Sequence, residues 1–256
     1  MRFNLDVFAG IEWRRLYTMA KAQGFDGFFT GESYANDAAR MAAVRELTDA
    51  LGLNQETSHS TIPGSNTIWY GGEAGDAYMD VLLGNIDVCR QFGIPILVVH
   101  VTAGGAEPDL ALGIGRLERA VTFAKEAGVK LAFENINHPE LLFETLAHFT
   151  DAHVGFCYDI GHEACYTPGV RFLPRVGGRL ICTHLHDNDG QGDQHLIPFD
   201  GGIDFALAAK ELGDCGYAGD LTLELNYCPY AGKLSEAAYI EKCRQSLEKF
   251  RGMIDQ

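Results

Sequence analysis

KLAFENI, residues 130 to 136, ends an apolar run that otherwise has the composition of a buried strand on a glutamate, Glu134. Burying a carboxylate without a partner costs on the order of several kcal/mol, so this residue calls for a cation, a donor network or a chemical task. Which of the three applies depends on what the rest of the chain places beside it.

Outward from that run, short β-like stretches alternate with longer helix-like ones along the whole chain. The strand candidates are RFNLDVFA from Arg2, FDGFFTG from Phe25, LNQETSHS from Leu53, IPILVVHV from Ile94, VKLAFENI from Val129, VGFCYDIGH from Val154, LICTHLHDN from Leu180 and DLTLELNY from Asp220. Helical patterns lie between them, the weakest around GVRFLPRV. Several end in glycine just before the next strand, at Gly24, Gly52, Gly93, Gly128 and Gly216, as a left-handed cap turning back to a sheet requires. Eight β/α units in series, with right-handed crossovers, predict a single-domain (β/α)8 TIM barrel over residues 1 to 256. An open doubly wound sheet is the weaker alternative, because no Gly-rich phosphate fingerprint follows the first strand. Two loops, TIPGSNTIWYGGEAG and DGQGDQHLIPFDGG, are long and belong on the catalytic face.

The formal net charge of −15 disfavours nucleic acid as a partner. The N-terminal residues lack a secretory pattern and no run is long enough to span a membrane, so a cytoplasmic protein is expected. The seven cysteines form no C-x-x-C pair, which suits reduced thiols. A homo-oligomer is left open.

Polar residues recur at the carboxyl ends of strands three to eight: His59, His100, Glu134, Asp159, His184 and Glu224. A barrel gathers those ends into one mouth. Glu134 is therefore expected to be one of several metal ligands, with Glu134, Asp159, His184 and Glu224 as the core set. Carboxylates and imidazoles without thiolate suit a divalent ion, Mn, Mg, Co or Zn. His59, His100, His162, Asp193 and His195 would complete a second or third metal position or contact a polar substrate.

With those residues in place the chain resembles the xylose isomerase-like TIM-barrel superfamily, which includes sugar isomerases and epimerases and endonuclease IV-type AP endonucleases. The resemblance rests on FEN at 133 to 135, YDIGH at 158 to 162, HLHDN at 184 to 188, the stretch from His195 to Phe205 that ends in GGIDF, and LELN at 223 to 226. It implies a metal-dependent isomerase or epimerase of a sugar-like carbonyl compound, working through a metal-stabilised enediolate with Glu134 and Glu224 as the acid–base pair. His184 is then the imidazole ligand, with His186 second in rank, and His162 and His186 contact substrate; Trp69 and Tyr70 are expected to stack on the sugar. The arginine that ketose 3-epimerases carry after the histidine of the seventh strand is absent from DNDGQGD. The endonuclease branch implies the alternative, a multi-zinc phosphodiester hydrolase, to whose nine ligands His59, His100, Glu134, Asp159, His162, His184, Asp193, His195 and Glu224 correspond.

Overall fold

The computed structural model describes residues 1–255. In chain order its elements are β1 (Phe3–Ala9), α1 (Trp13–Ala22), β2 (Gly27–Thr30), α2 (Ala38–Leu51), β3 (Asn54–His59), α3 (Glu73–Phe92), β4 (Ile96–Val101), α4 (Leu110–Ala127), β5 (Lys130–Asn135), α5 (Pro139–His148), β6 (Val154–Asp159), α6 (Ile160–Tyr166), α7 (Leu173–Val176), β7 (Leu180–His184), α8 (Phe205–Asp214), β8 (Leu221–Asn226) and α9 (Glu236–Ile254). All eight expected strands are present and parallel, in the order β7-β6-β5-β4-β3-β2-β1-β8. The two ends of that order meet at a bridge between Leu185 and Leu223, where the Leu185 amide donates to the Thr222 carbonyl at 2.8 Å. This brings the sheet round into the expected TIM barrel.

Gly52, Gly93 and Gly128 close α2, α3 and α4 with φ of 64°, 65° and 71°, the left-handed conformation their position in the sequence predicted. One boundary differs from expectation. The sixth run was expected to stay extended through His162, but the strand ends at Asp159 and α6 begins at once, because the Asp159 carboxylate accepts the His162 amide at 2.7 Å and caps the helix. His162 is thereby turned over the barrel mouth instead of continuing along its wall.

The core has two parts. The larger lies between the sheet and the helices and includes Leu131, Phe133, Phe156, Tyr158, Leu117, Leu142 and Phe172, all at most 1% exposed. Each such side chain contributes about 1.5–3 kcal/mol by leaving water. The smaller is Ile96, Val98, Ala132, Cys157 and Cys182. On β4 to β7 the two-residue period puts these on the same face as His100, Glu134, Asp159 and His184, so the inner core is the floor of the polar mouth.

At the opposite end of the barrel the Asn4 amide donates to Glu56 at 3.3 Å and to Asp220 at 3.1 Å, and Arg2 pairs with Asp220 at 2.9 Å. Burial, and then Asp220, push the Glu56 carboxyl up from 4.5 to about 8, whereas Asp220 stays low because Arg2 and Asn4 outweigh its burial. Folded Glu56 therefore holds a proton that the unfolded chain has released. Its contribution to stability is full below pH 4.5, shrinks above it and is lost as the pH passes about 8. Replacing Glu56 with Gln should flatten this dependence: the urea midpoint of the parent should fall more between pH 5 and pH 8 than that of Glu56→Gln. Equal falls would refute the assignment.

Candidate metal centre and active site

The six strand-end residues converge on one mouth, and four more join them from the segments that follow β6 and β7. Glu134 lies at the junction. Its Oε2 is 3.2 Å from His59 Nε2 and 3.0 Å from His100 Nε2, and its Oε1 is 2.7 Å from His184 Nδ1. A second group, Glu134, Asp159, His184 and Glu224, has ligand atoms all within 4.8 Å of one another. His184 Nδ1 is also 3.3 Å from Glu224 Oε2. The third group is His162, His186, Asp193 and His195. Asp193 Oδ2 is 3.2 Å from Nε2 of both His162 and His195, and His186 Nε2 reaches Asp159 Oδ1 at 3.1 Å, which links the third group to the second.

Backbone carbonyls aim three of the imidazoles. The Nδ1 of His59 donates to Ser60 O at 2.7 Å, that of His162 to Asn135 O at 3.1 Å and that of His195 to Glu224 O at 2.9 Å. A carbonyl only accepts, so each Nδ1 carries the hydrogen, and each Nε2 is left to face a carboxylate or an ion. His195 holds this pose at φ 49°, an uncommon conformation for a residue with a side chain, and its carbonyl accepts the Asn226 amide at 3.0 Å. Gly161 makes room for His186, since a Cβ there would lie 1.8 Å from the ring. Asn135 ties β5 to β6: its side chain donates to Asp159 O at 2.8 Å and accepts the Asp159 amide at 2.9 Å.

Glu134, Asp159, His184 and His186 are fully buried; the two carboxylates pair with imidazoles and the two imidazoles with carboxylates, with no lysine or arginine among the partners. Burial alone would raise the Glu134 and Asp159 carboxyls, yet the surrounding imidazoles hold both below their ordinary values. Burial likewise works against protonating His162 and His195, but the neighbouring carboxylates push these rings up to about 10 and about 9. Positive charge is thus demanded at Glu134 and Asp159. His184 Nε2, His186 Nδ1 and Asp193 Oδ1 are buried with no hydrogen-bond partner at all. Opposed lone pairs on buried carboxylates and oriented imidazoles fit divalent ions, which would meet that demand without protons.

Beside the second group opens a cavity of about 530 Å³. Glu224, His59 and His195 line it, together with Asp6, Phe8, Trp13, Glu32, Tyr34 and Arg40. Of the residues expected to handle substrate, Trp69 does not reach this space. It is fully buried, and its ring packs so closely on α4 that a Cβ at Gly113 would fall 1.9 Å from it. Tyr70 is a loop brace: its hydroxyl donates to Ala106 O and accepts the Gly104 amide, both at 2.9 Å. Packing therefore corrects the sugar-stacking role expected of Trp69, and Tyr70 lies outside the residues lining the cavity. His162 and His186 sit among the candidate ligands and outside the residues lining the cavity. Sequence reasoning missed the cavity residues of β1 and the β2–α2 segment, although Asp6 in FNLDVFA carried the signal that singled out Glu134, a carboxylate in an apolar strand.

The match to a family model described as xylose isomerase-like TIM barrel extends over residues 17–249. The chain belongs to that family. An uncharacterised protein, y4fM of Sinorhizobium fredii, is 31% identical over 193 residues, which cover 69% of this chain and 61% of that protein. The chain thus spans less than two thirds of the length of the first curated relatives it matches. Fructoselysine 3-epimerase of Escherichia coli O157:H7 is 31% identical over 87 residues, 34% of this chain and 30% of the epimerase. Among solved structures, a D-tagatose 3-epimerase-like protein superposes with a TM-score of 0.81 at 20% identity, covering 100% of this chain and 98% of that one, which shows the shared fold. Sugar 3-epimerases are therefore among the relatives of this xylose isomerase-like barrel. No helix among the described residues is long and apolar enough to cross a membrane.

If the mouth holds metal, removing it exposes a cluster of buried charge. Adding back Mn²⁺ or Zn²⁺ at about 100 times its dissociation constant should stabilise the chelated protein by about 2.7 kcal/mol. A thermal scan should show the midpoint rise in the parent and a clearly smaller rise in His184→Ala. Identical midpoints with and without metal would remove the metal centre.

Proposed function

We propose that this protein is a divalent-metal-dependent isomerase or epimerase of a small polyhydroxylated carbonyl compound. The observation that carries the reading is Glu224: it belongs to the four-residue group with Glu134, Asp159 and His184 and also lines the cavity, so one carboxylate faces both the ion position and the substrate space. A bound divalent ion supplies the positive charge that acidifies a carbon-bound proton beside a carbonyl. Glu224 is the group placed to take up and return that proton. Glu134, expected from the sequence as its acid–base partner, has both oxygens against imidazoles and no surface on the cavity. It serves here as the bridge between ligand groups. The remaining walls exclude water with Trp13, Leu16 and Tyr34 and leave a space of sugar size. Such an enzyme exchanges its substrate's carbon-bound proton with solvent. In deuterated buffer, a panel of ketoses and polyhydroxy ketones should include one that gains deuterium, and Glu224→Gln should slow that uptake by about 10²–10⁴-fold with an unchanged circular dichroism spectrum. No uptake by any member, or full uptake by the variant, would overturn the reading.

The three contiguous ligand groups favour a second reading, a multi-zinc hydrolase of a phosphodiester. His59, His100 and Glu134 would hold one ion, the Glu224 group a second, and His162, Asp193 and His195, with His186 beside them, a third. The net charge of −15 and the four carboxylates on the cavity wall, Asp6, Glu12, Glu32 and Glu224, work against a polyanionic substrate. Metal content separates the readings. Three tightly held zinc ions together with cleavage of an abasic-site duplex would establish the hydrolase, whereas deuterium uptake without cleavage supports the isomerase whatever the metal count.

A further inference from the structure

We propose that Asp6, seconded by Glu32, forms a subsite for a substrate ammonium group, so that the cavity takes an amine-bearing polyol in preference to a neutral or phosphorylated one. This deepens the isomerase reading and rests on it only for the identity of the pocket. Asp6 lies on β1 in register with Glu224 on β8 and is 5% exposed, and its carboxylate borders the cavity. Among the described residues no side chain hydrogen-bonds to its carboxylate, and His184 and Arg40 act on it only through space. The other carboxylates on this wall are differently engaged. Glu12 caps α1 and pairs with Arg14 at 3.4 Å, and Glu224 belongs to the metal group. Glu32, an exposed residue, gives one oxygen to the Ile62 amide at 2.9 Å. Arg40, the one lysine or arginine on the wall, lies 4.1 Å above the Tyr34 ring and donates to the Tyr34 hydroxyl at 3.3 Å.

Gly31 borders the space beside Asp6. Its φ of −67° and ψ of 175° suit any residue, so backbone conformation does not require glycine there. A Cβ at Gly31 would stand 3.6 Å from Asp6 Oδ2 with no other atom within 4 Å, that is, in the approach to the carboxylate and nowhere else. A carboxylate held in a low-dielectric wall beside another favours a cation over a neutral hydroxyl and repels a phosphate.

Three probes of one carbon skeleton separate these outcomes without turnover: 1-amino-1-deoxy-D-glucitol, D-glucitol and D-glucitol 6-phosphate, titrated calorimetrically into the metal-loaded protein at pH 7. The amine should bind about tenfold more tightly than glucitol, and the phosphate more weakly than either. Asp6→Asn should bring amine and glucitol within about twofold of each other. Gly31→Ala, which changes no charge, should also lose most of the preference, with metal content unchanged in both variants. An amine that binds no better than glucitol, or a preference that survives Asp6→Asn, overturns the proposal. Failure of deuterium uptake would instead strike the isomerase reading and leave this binding result standing.

Discussion

Glu134 has no contact with solvent, and its two oxygens face imidazoles from β3, β4 and β7. A charge so placed is tolerated only if positive charge is delivered to it from several directions at once. That demand explains much of the local architecture. It accounts for imidazoles at the ends of three different strands, for carbonyls that fix the tautomers of His59, His162 and His195, and for a loop after β7 long enough to return Asp193 and His195 over the mouth. The barrel is the fold that can meet it, because strand ends far apart in sequence become neighbours around a ring.

The floor beneath this ring is as specific as the ring itself. Cys157 and Cys182 are paired in register on β6 and β7, fully enclosed with Val98 and Ala132. Burial, their mutual contact and the nearby carboxylates hold the Cys157 thiol well above its ordinary value. The Cys157 sulfur lies within 4.8 Å of ligand atoms of Glu134 and His184, so the protein places a small, neutral, polarisable group directly under its most concentrated charge. A polar floor would let water reach the carboxylates from below and weaken the demand that shapes the site.

Periodicity made the barrel legible, since each strand and each glycine-ended helix obeys a local rule. The convergence of carboxylates and imidazoles was legible for a related reason: a carboxylate or imidazole closing an apolar strand stands out in one dimension, and the barrel fixes where it goes in three. What escaped was whatever tertiary packing decides. YDIGH has the composition of a strand through its last residue, but one side-chain cap turns it into a helix at Asp159. Trp69 and Tyr70, in a glycine-flanked loop, have the composition of a substrate platform, yet α4 and the β4–α4 segment absorb them. Asp6 was passed over because no motif surrounds it on β1, and only the pairing of β1 with β8 sets it beside Glu224.

That pairing also divides labour around the mouth. Strands β3 to β8 supply every candidate ligand, directly or through the segments that follow β6 and β7, whereas β1, the start of α1 and the β2–α2 segment supply most of the cavity wall. His59, His195 and Glu224 belong to both, whereas Asp6, Glu12, Glu32 and Tyr34 belong to the wall alone. Gly31 and Glu32, where a 3-10 segment begins after the shortest strand, take no part in the ligand groups, whereas Glu134 is locked by three imidazoles at once. A barrel built this way can retain one charge cluster while its entrance is rewritten, and the acidic entrance of this chain is one such version.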